Sequence, residues 1–179
     1  GVMNERVMAK LGMEDRIRKA LKQNDFYLEY QPQFDLRSRQ ICGFEALARW
    51  NDPELGLVPP ADFIKVAEEC GLIYPLGEWV LSTACAQAKA WHDNGFPKVR
   101  MAVNVSTTQF RRHDFVDMVE GVLDGSGLEP EYLEIELTES MIMEDIKEGL
   151  EHLTDLKVRN IKLAIDDFGT GYSSLLYLK

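Results

Sequence analysis

Apolar and polar residues alternate along Phe26 to Phe34 (FYLEYQPQF), and a second extended run from Gln40 to Trp50 follows the polar stretch Asp35 to Arg39. Period-two alternation puts successive side chains on opposite faces of an extended chain. The two runs therefore predict a β-hairpin, with Pro32 placing the first run at a sheet edge or strand end. Ahead of it, residues 2 to 22 follow helical spacing, with Val2, Met3, Val7 and Leu11 on one piece and Met13, Ile17, Ala20 and Leu21 on the next. Gly12 between them marks a break or bend. After the hairpin, Asn51 to Pro60 reads as loop, Ala61 to Cys70 as a short helix stopped by Gly71, and Gly77 to Asn94 as a longer helix stopped at Asn94-Gly95.

The pattern then changes to strands alternating with helices. Strands are expected at Val99 to Val105, Tyr132 to Leu137 and Ile161 to Ile165, with helices around Asp114 to Leu123, at Glu144 to Lys157 and opening near Ser173. Such alternation predicts an α/β fold with parallel strands, in which functional groups gather at the strands' carboxyl ends.

The polar residues at those ends form a series: Glu45 on the second strand, Asn104 on the third, Glu136 with Glu139 beyond it on the fourth, and Asp166-Asp167 on the fifth. Two adjacent acids at the end of a buried strand repel each other and resist desolvation, which suits a nearby cation. Taken alone, the same pair also suits an Asp-rich N-cap, with Gly169 and Gly171 supplying the turn. Local readings also exist for the others: Glu45 paired with Arg49, Asn104 capping the segment at Ser106-Thr107, and Glu134 to Glu139 as a solvated strand edge. One oxygen donor on each of four strands favours a shared site for a hard cation such as Mg²⁺ or Mn²⁺. Two ions at such a rim point to phosphoryl chemistry. Arg49, four residues beyond Glu45, shares its face and has the fork geometry to clamp a phosphate.

Composition narrows the class of partner. A chain of 179 residues with 45% hydrophobic and 28% charged residues suits one globular domain. Its net charge of −10 argues against an extended grip on polymeric nucleic acid. Cys42, Cys70 and Cys85 follow no Cys-x-x-Cys spacing, which suits a reducing, cytoplasmic setting. No run is long and apolar enough to cross a bilayer. His92, His113 and His152 stand beside no plausible nucleophile, and Trp50, Trp79 and Trp91 read as core.

Together, Tyr30-Gln31-Pro32, Glu45-Ala46-Leu47 with Ala48-Arg49-Trp50, Asn104-Val105-Ser106, Glu136-Leu137-Thr138-Glu139 and Asp166-Asp167-Phe168-Gly169-Thr170-Gly171 resemble the EAL domain family of cyclic di-GMP phosphodiesterases. The resemblance implies a modified TIM (β/α)8 barrel whose first strand is antiparallel, with residues 1–12 as a linker helix and 13–179 as a partial EAL domain. It implies hydrolysis of cyclic di-GMP to linear pGpG with Mg²⁺ or Mn²⁺, two ions being expected. Glu45, Asn104, Glu136 and Asp166 resemble the metal ligands, Asp167 the acid serving the second metal, and Gln31, Leu47 and Arg49 the substrate-contacting positions. Glu45, Asp166 and Asp167 would be the catalytic acids. Glu139 and the loop containing Gly169, Thr170, Gly171 and Ser173 correspond to the regulatory segment. A homodimer and an upstream sensory or GGDEF-type domain are implied as partners. A barrel of this kind needs roughly 250 residues and eight strands, so with five expected strands a catalytic Lys, Glu and Gln would lie beyond Lys179. A non-catalytic module that binds cyclic di-GMP, or a partner protein, without cleaving the nucleotide is the alternative.

Overall fold

The computed structural model describes residues 2–138 and 146–166, with side chains placed for 12–138 and 149–165. Helix α1 (Val2–Gln23) runs continuously through Gly12 and ends where Asn24 takes a left-handed conformation with φ 59°, a geometry asparagine tolerates better than most residues. Ile17 and Ala20 on α1 are buried, with Met13 and Leu21 packed beside them.

The hairpin follows, as its alternation predicts. Strand β1 (Phe26–Phe34) pairs antiparallel with β2 (Ile41–Asp52), and Asp35 accepts hydrogen bonds from the Ser38 and Arg37 amides in the connecting turn. Six strands are present among the described residues, not five. The extra strand, β3 (Gly56–Val58), pairs antiparallel with the end of β2 inside the segment expected to be loop. Asp52 builds that turn: its Oδ1 accepts the Glu54 and Leu55 amides at 2.9 and 2.8 Å and the Arg16 guanidinium at 2.9 Å.

Helices α2 (Pro60–Glu69) and α3 (Ile73–Asp93) lead to β4 (Arg100–Asn104), α4 (Thr107–Phe110) and α5 (Phe115–Ser126). Pro60 suits the first turn of α2, where its missing amide hydrogen costs nothing. A 3₁₀ turn (Pro130–Tyr132), β5 (Leu133–Thr138), α6 (Ile146–Val158) and β6 (Lys162–Asp166) complete the described order. Strands β2, β4, β5 and β6 are parallel, and the sheet order is β1-β2-β4-β5-β6 with β3 beside β2. The sheet is open over these residues, and the expected helix near Ser173 lies outside them.

One face of the sheet is the core. Phe26, Ala46, Trp50, Met101, Val103, Leu133, Ile135 and Leu137 are all buried and pack with residues of the helical layer, including Phe63, Leu81, Ala84, Phe115 and Val119. The opposite face carries the polar set. Cys42, Cys70 and Cys85 are free thiols, and burial pushes the Cys85 thiol up to about 12. No described helix is long and apolar enough to cross a membrane.

Two features of the frame give measurable expectations. Ser106 caps α4 and forms a reciprocal capping box with Gln109, whose side chain lies directly against Gly77 of α3. A methyl at position 77 meets the buried Gln109 amide, so Gly77→Ala is expected to cost about 1–3 kcal/mol, read as a lower chemical-denaturation midpoint. Asp52 is nearly inaccessible; burial would raise its pKa, but the Leu55 and Glu54 amides and Arg16 outweigh that and hold it below the usual carboxylate range. A carboxyl depressed in the folded state stabilises above its unfolded pKa, and that contribution is lost as pH falls through the folded value. The melting temperature should therefore drop below about pH 4, and Asp52→Asn should flatten that part of the profile.

Candidate active site

Register on the polar face determines which side chains can meet. Cα partners in the parallel pairs place Glu45 beside Ala102, Asn104 beside Glu136, and Thr138 beside Asp166. Across the hairpin, Gln31 is the partner of Glu45 and Glu29 the partner of Leu47. A diagonal of donors thus runs across β1, β2, β4 and β5 towards the end of β6.

Contacts within this row are specific. Asn104 Nδ2 donates to Glu45 Oε1 at 2.7 Å, joining the ends of β2 and β4. Glu136 Oε1 accepts from Gln33 Nε2 at 3.3 Å. The Val105 amide donates to the Glu136 carbonyl at 3.1 Å, fixing the chain just beyond Asn104 against β5. Glu45 and Glu136 are half-buried, whereas Asn104 and Gln31 are exposed.

Arg49 does not bind Glu45. Its Nε donates to Glu29 Oε2 at 2.7 Å and its Nη1 to the Ala48 carbonyl at 3.0 Å, leaving Glu45 to Asn104. Leu47 sits half-buried between Glu45 and Arg49 on the same face. Asn104 does not cap α4 either; Ser106 does. Nor is Glu134 a solvated edge residue, being buried and ion-paired with Arg100. That pairing neutralises the lower acid of β5 and sets it apart from Glu136.

Asp166 ends β6 in register with Thr138, on the strand bordering this row. Asp167, Glu139, Gly169, Thr170, Gly171 and Ser173 lie outside the described residues. Among the described side chains no three His, Cys, Asp or Glu residues converge. The donors that are placed fit a hard cation: two carboxylates, Glu45 and Glu136, flank an amide that carries an oxygen on its other arm. A groove of about 1010 Å³ lined by Tyr74, Ser82, Met118 and Gly121 lies on the helical layer and includes none of these donors.

Sequence reasoning missed Gln33, Glu29 and the β2–β3 turn that Asp52 closes. Gln33 was detectable in principle, since it lies two residues beyond Gln31 and thus on the same face.

A parallel sheet with one polar donor row, entered by an antiparallel hairpin, defines the class of protein. The EAL domain profile matches residues 14–179. The chain belongs to the EAL domain family. It is 42% identical over 177 residues to the bifunctional diguanylate cyclase/cyclic di-GMP phosphodiesterase MucR of Pseudomonas aeruginosa, covering 99% of this chain and 26% of that protein. It is 43% identical over 170 residues to the signaling protein YkoW of Bacillus subtilis, covering 95% and 21%. The chain thus spans about a quarter or less of the length of these relatives. A solved structure of the MucR phosphodiesterase in complex with c-di-GMP superposes with a TM-score of 0.89 at 42% identity, over 93% of this chain and 68% of that one.

Proposed function

We propose that this chain forms part of a phosphodiesterase that hydrolyses cyclic di-GMP to linear pGpG with Mg²⁺ or Mn²⁺. The observation that carries the reading is the junction of Glu45, Asn104 and Glu136 on three adjacent parallel strands, at the rim where Asp166 ends the fourth. Relatives bearing the name cyclic di-GMP phosphodiesterase, and the MucR complex, support the substrate class.

In this reading Glu45, Asn104, Glu136 and Asp166 hold the cations, with Asp167 serving the second. The bound ions would supply an activated water and neutralise charge on the phosphodiester. Arg49 contributes a fixed positive charge: among the described residues Nε is engaged by Glu29 and Nη1 by the Ala48 carbonyl, which leaves Nη2 to meet a phosphate oxygen. Gln31 offers an amide to the same ligand, and Leu47 an apolar surface. Glu139 and the Gly169, Thr170, Gly171 and Ser173 loop are assigned to coupling the site to a homodimer interface. The greater length of the relatives supports an upstream sensory or GGDEF-type domain, and the cytoplasm is the proposed location.

Product analysis tests the reaction. The intact protein with cyclic di-GMP and Mg²⁺ should yield pGpG by chromatography, whereas tight binding with all nucleotide recovered intact would establish the receptor reading. Arg49→Ala should raise KM about 10-fold or more, as loss of a charge-assisted phosphate contact of about 1.5–3 kcal/mol implies. Steady-state kinetics checks this.

A further inference from the structure

We propose that Gln33 is a positioning residue for Glu136, and that Gly43 is the gap that lets it act. The inference rests on Glu136 belonging to the metal-binding row. Three independent features of the hairpin converge on it.

The first is the hydrogen bond itself. Gln33 lies on β1 and Glu136 on β5, with β2 and β4 between them in the sheet order, yet Nε2 reaches Oε1 at 3.3 Å. In a flat sheet three strand spacings would put the two backbones roughly 14 Å apart, so the contact needs the sheet to curl and both side chains to lean across its polar face. The second is Gly43, the register partner of Gln33 on β2. A Cβ there would stand 2.9 Å from Gln33 Oε1 and 3.1 Å from the Arg100 carbonyl. Glycine in a strand interior weakens the strand, and its use here fits a close approach by another group. The third is an irregularity in the β1–β2 register between Gln33 and Phe34. The step from Gln33↔Gly43 to Phe34↔Ile41 leaves Cys42 as an extra residue on β2, and such a residue bends its strand and raises the local twist next to the Gln33–Gly43 pair.

The chemistry follows from the amide's two arms. Nε2 donates to one carboxylate oxygen of Glu136, which limits rotation of the group and fixes the direction in which its second oxygen points. Carboxylates that bind metals are commonly oriented by such outer hydrogen bonds, whose removal typically costs about 10–100-fold in affinity or activity. Gln33 touches neither substrate nor reacting atoms in this scheme. It acts through Glu136.

The test is Mn²⁺ binding by the intact protein, measured by electron paramagnetic resonance or calorimetry without substrate. Gln33→Met keeps the length of the side chain and removes the donor; it should raise the Mn²⁺ Kd about 10-fold while the melting temperature stays unchanged. Gly43→Ala should weaken Mn²⁺ binding similarly by displacing the Gln33 amide. In a Gln33→Ala background, where that amide is gone, Gly43→Ala should add little further loss. An unchanged Kd in both Gln33→Met and Gln33→Ala would overturn the inference, as would fully additive effects of Gln33→Ala and Gly43→Ala. If the wild-type protein binds no Mn²⁺, the metal-site reading fails and the inference with it. Wild-type binding with unaffected variants sinks the inference alone.

Discussion

Glu45→Gln is expected to reduce cyclic di-GMP hydrolysis by on the order of 10²–10³-fold while leaving the fold intact. The substitution is chosen because a glutamine oxygen can still accept the 2.7 Å hydrogen bond from Asn104 Nδ2 that ties β2 to β4. What disappears is the negative charge. A hard cation draws its binding energy largely from anionic oxygen donors, and Glu45 is the donor that opens the row. Circular dichroism and the melting temperature should match the wild type, because removing one carboxylate from a chain of net charge −10 does not add to its repulsion. Turnover assayed at saturating Mg²⁺ reads the loss. Wild-type turnover in this variant would exclude Glu45 from the metal set.

The largest effect on stability is expected at Trp50, on the opposite face of the same strand. Trp50 is fully buried and packs against Phe26 and Phe63, with ring centroids 5.4 and 5.9 Å apart, while Phe26 and Phe63 themselves meet at 5.4 Å. Trp50→Ala should cost about 3–5 kcal/mol from lost burial and the cavity left behind. In a domain of this size that corresponds to a fall in melting temperature of roughly 6–20 °C. Trp50→Phe should cost far less, because the indole Nε1 is buried without a hydrogen-bond partner among the described residues, so little polar bonding is lost with it. Thermal melts of the two variants separate packing from polarity. The consequence reaches the site, since β2 carries Trp50 on its core face and Glu45 and Arg49 on the other.

The strands that matter most for function were legible because each follows an elementary rule. Alternation in β1 and β2 separates Phe26, Ala46 and Trp50 from Gln31, Glu45 and Arg49, and the apolar runs of β4, β5 and β6 each end in a polar residue. β3 escaped because three residues flanked by Gly, Pro and Asp carry no period, and its pairing depends on the Asp52 side chain closing the turn. α4 escaped for a similar reason, being four residues held by the Ser106–Gln109 capping box. Partner choice was the other limit. Period two put Arg49 on the face of Glu45, but Glu29, diagonally across the hairpin, takes the guanidinium. Period two put Gln33 on the polar face, but its contact with Glu136 depends on the register across four strands and on the missing side chain at Gly43. Local spacing cannot show either.

The proposed function is that oxygen donors along the carboxyl ends of β2, β4, β5 and β6 hold divalent cations that make cyclic di-GMP cleavable. Its most direct test is the rate of pGpG formation by the intact protein after divalent ions are removed with EDTA and again after Mg²⁺ or Mn²⁺ is restored. No product should form in EDTA, and turnover should recover when either ion is restored. Formation of pGpG at an undiminished rate in EDTA would contradict it.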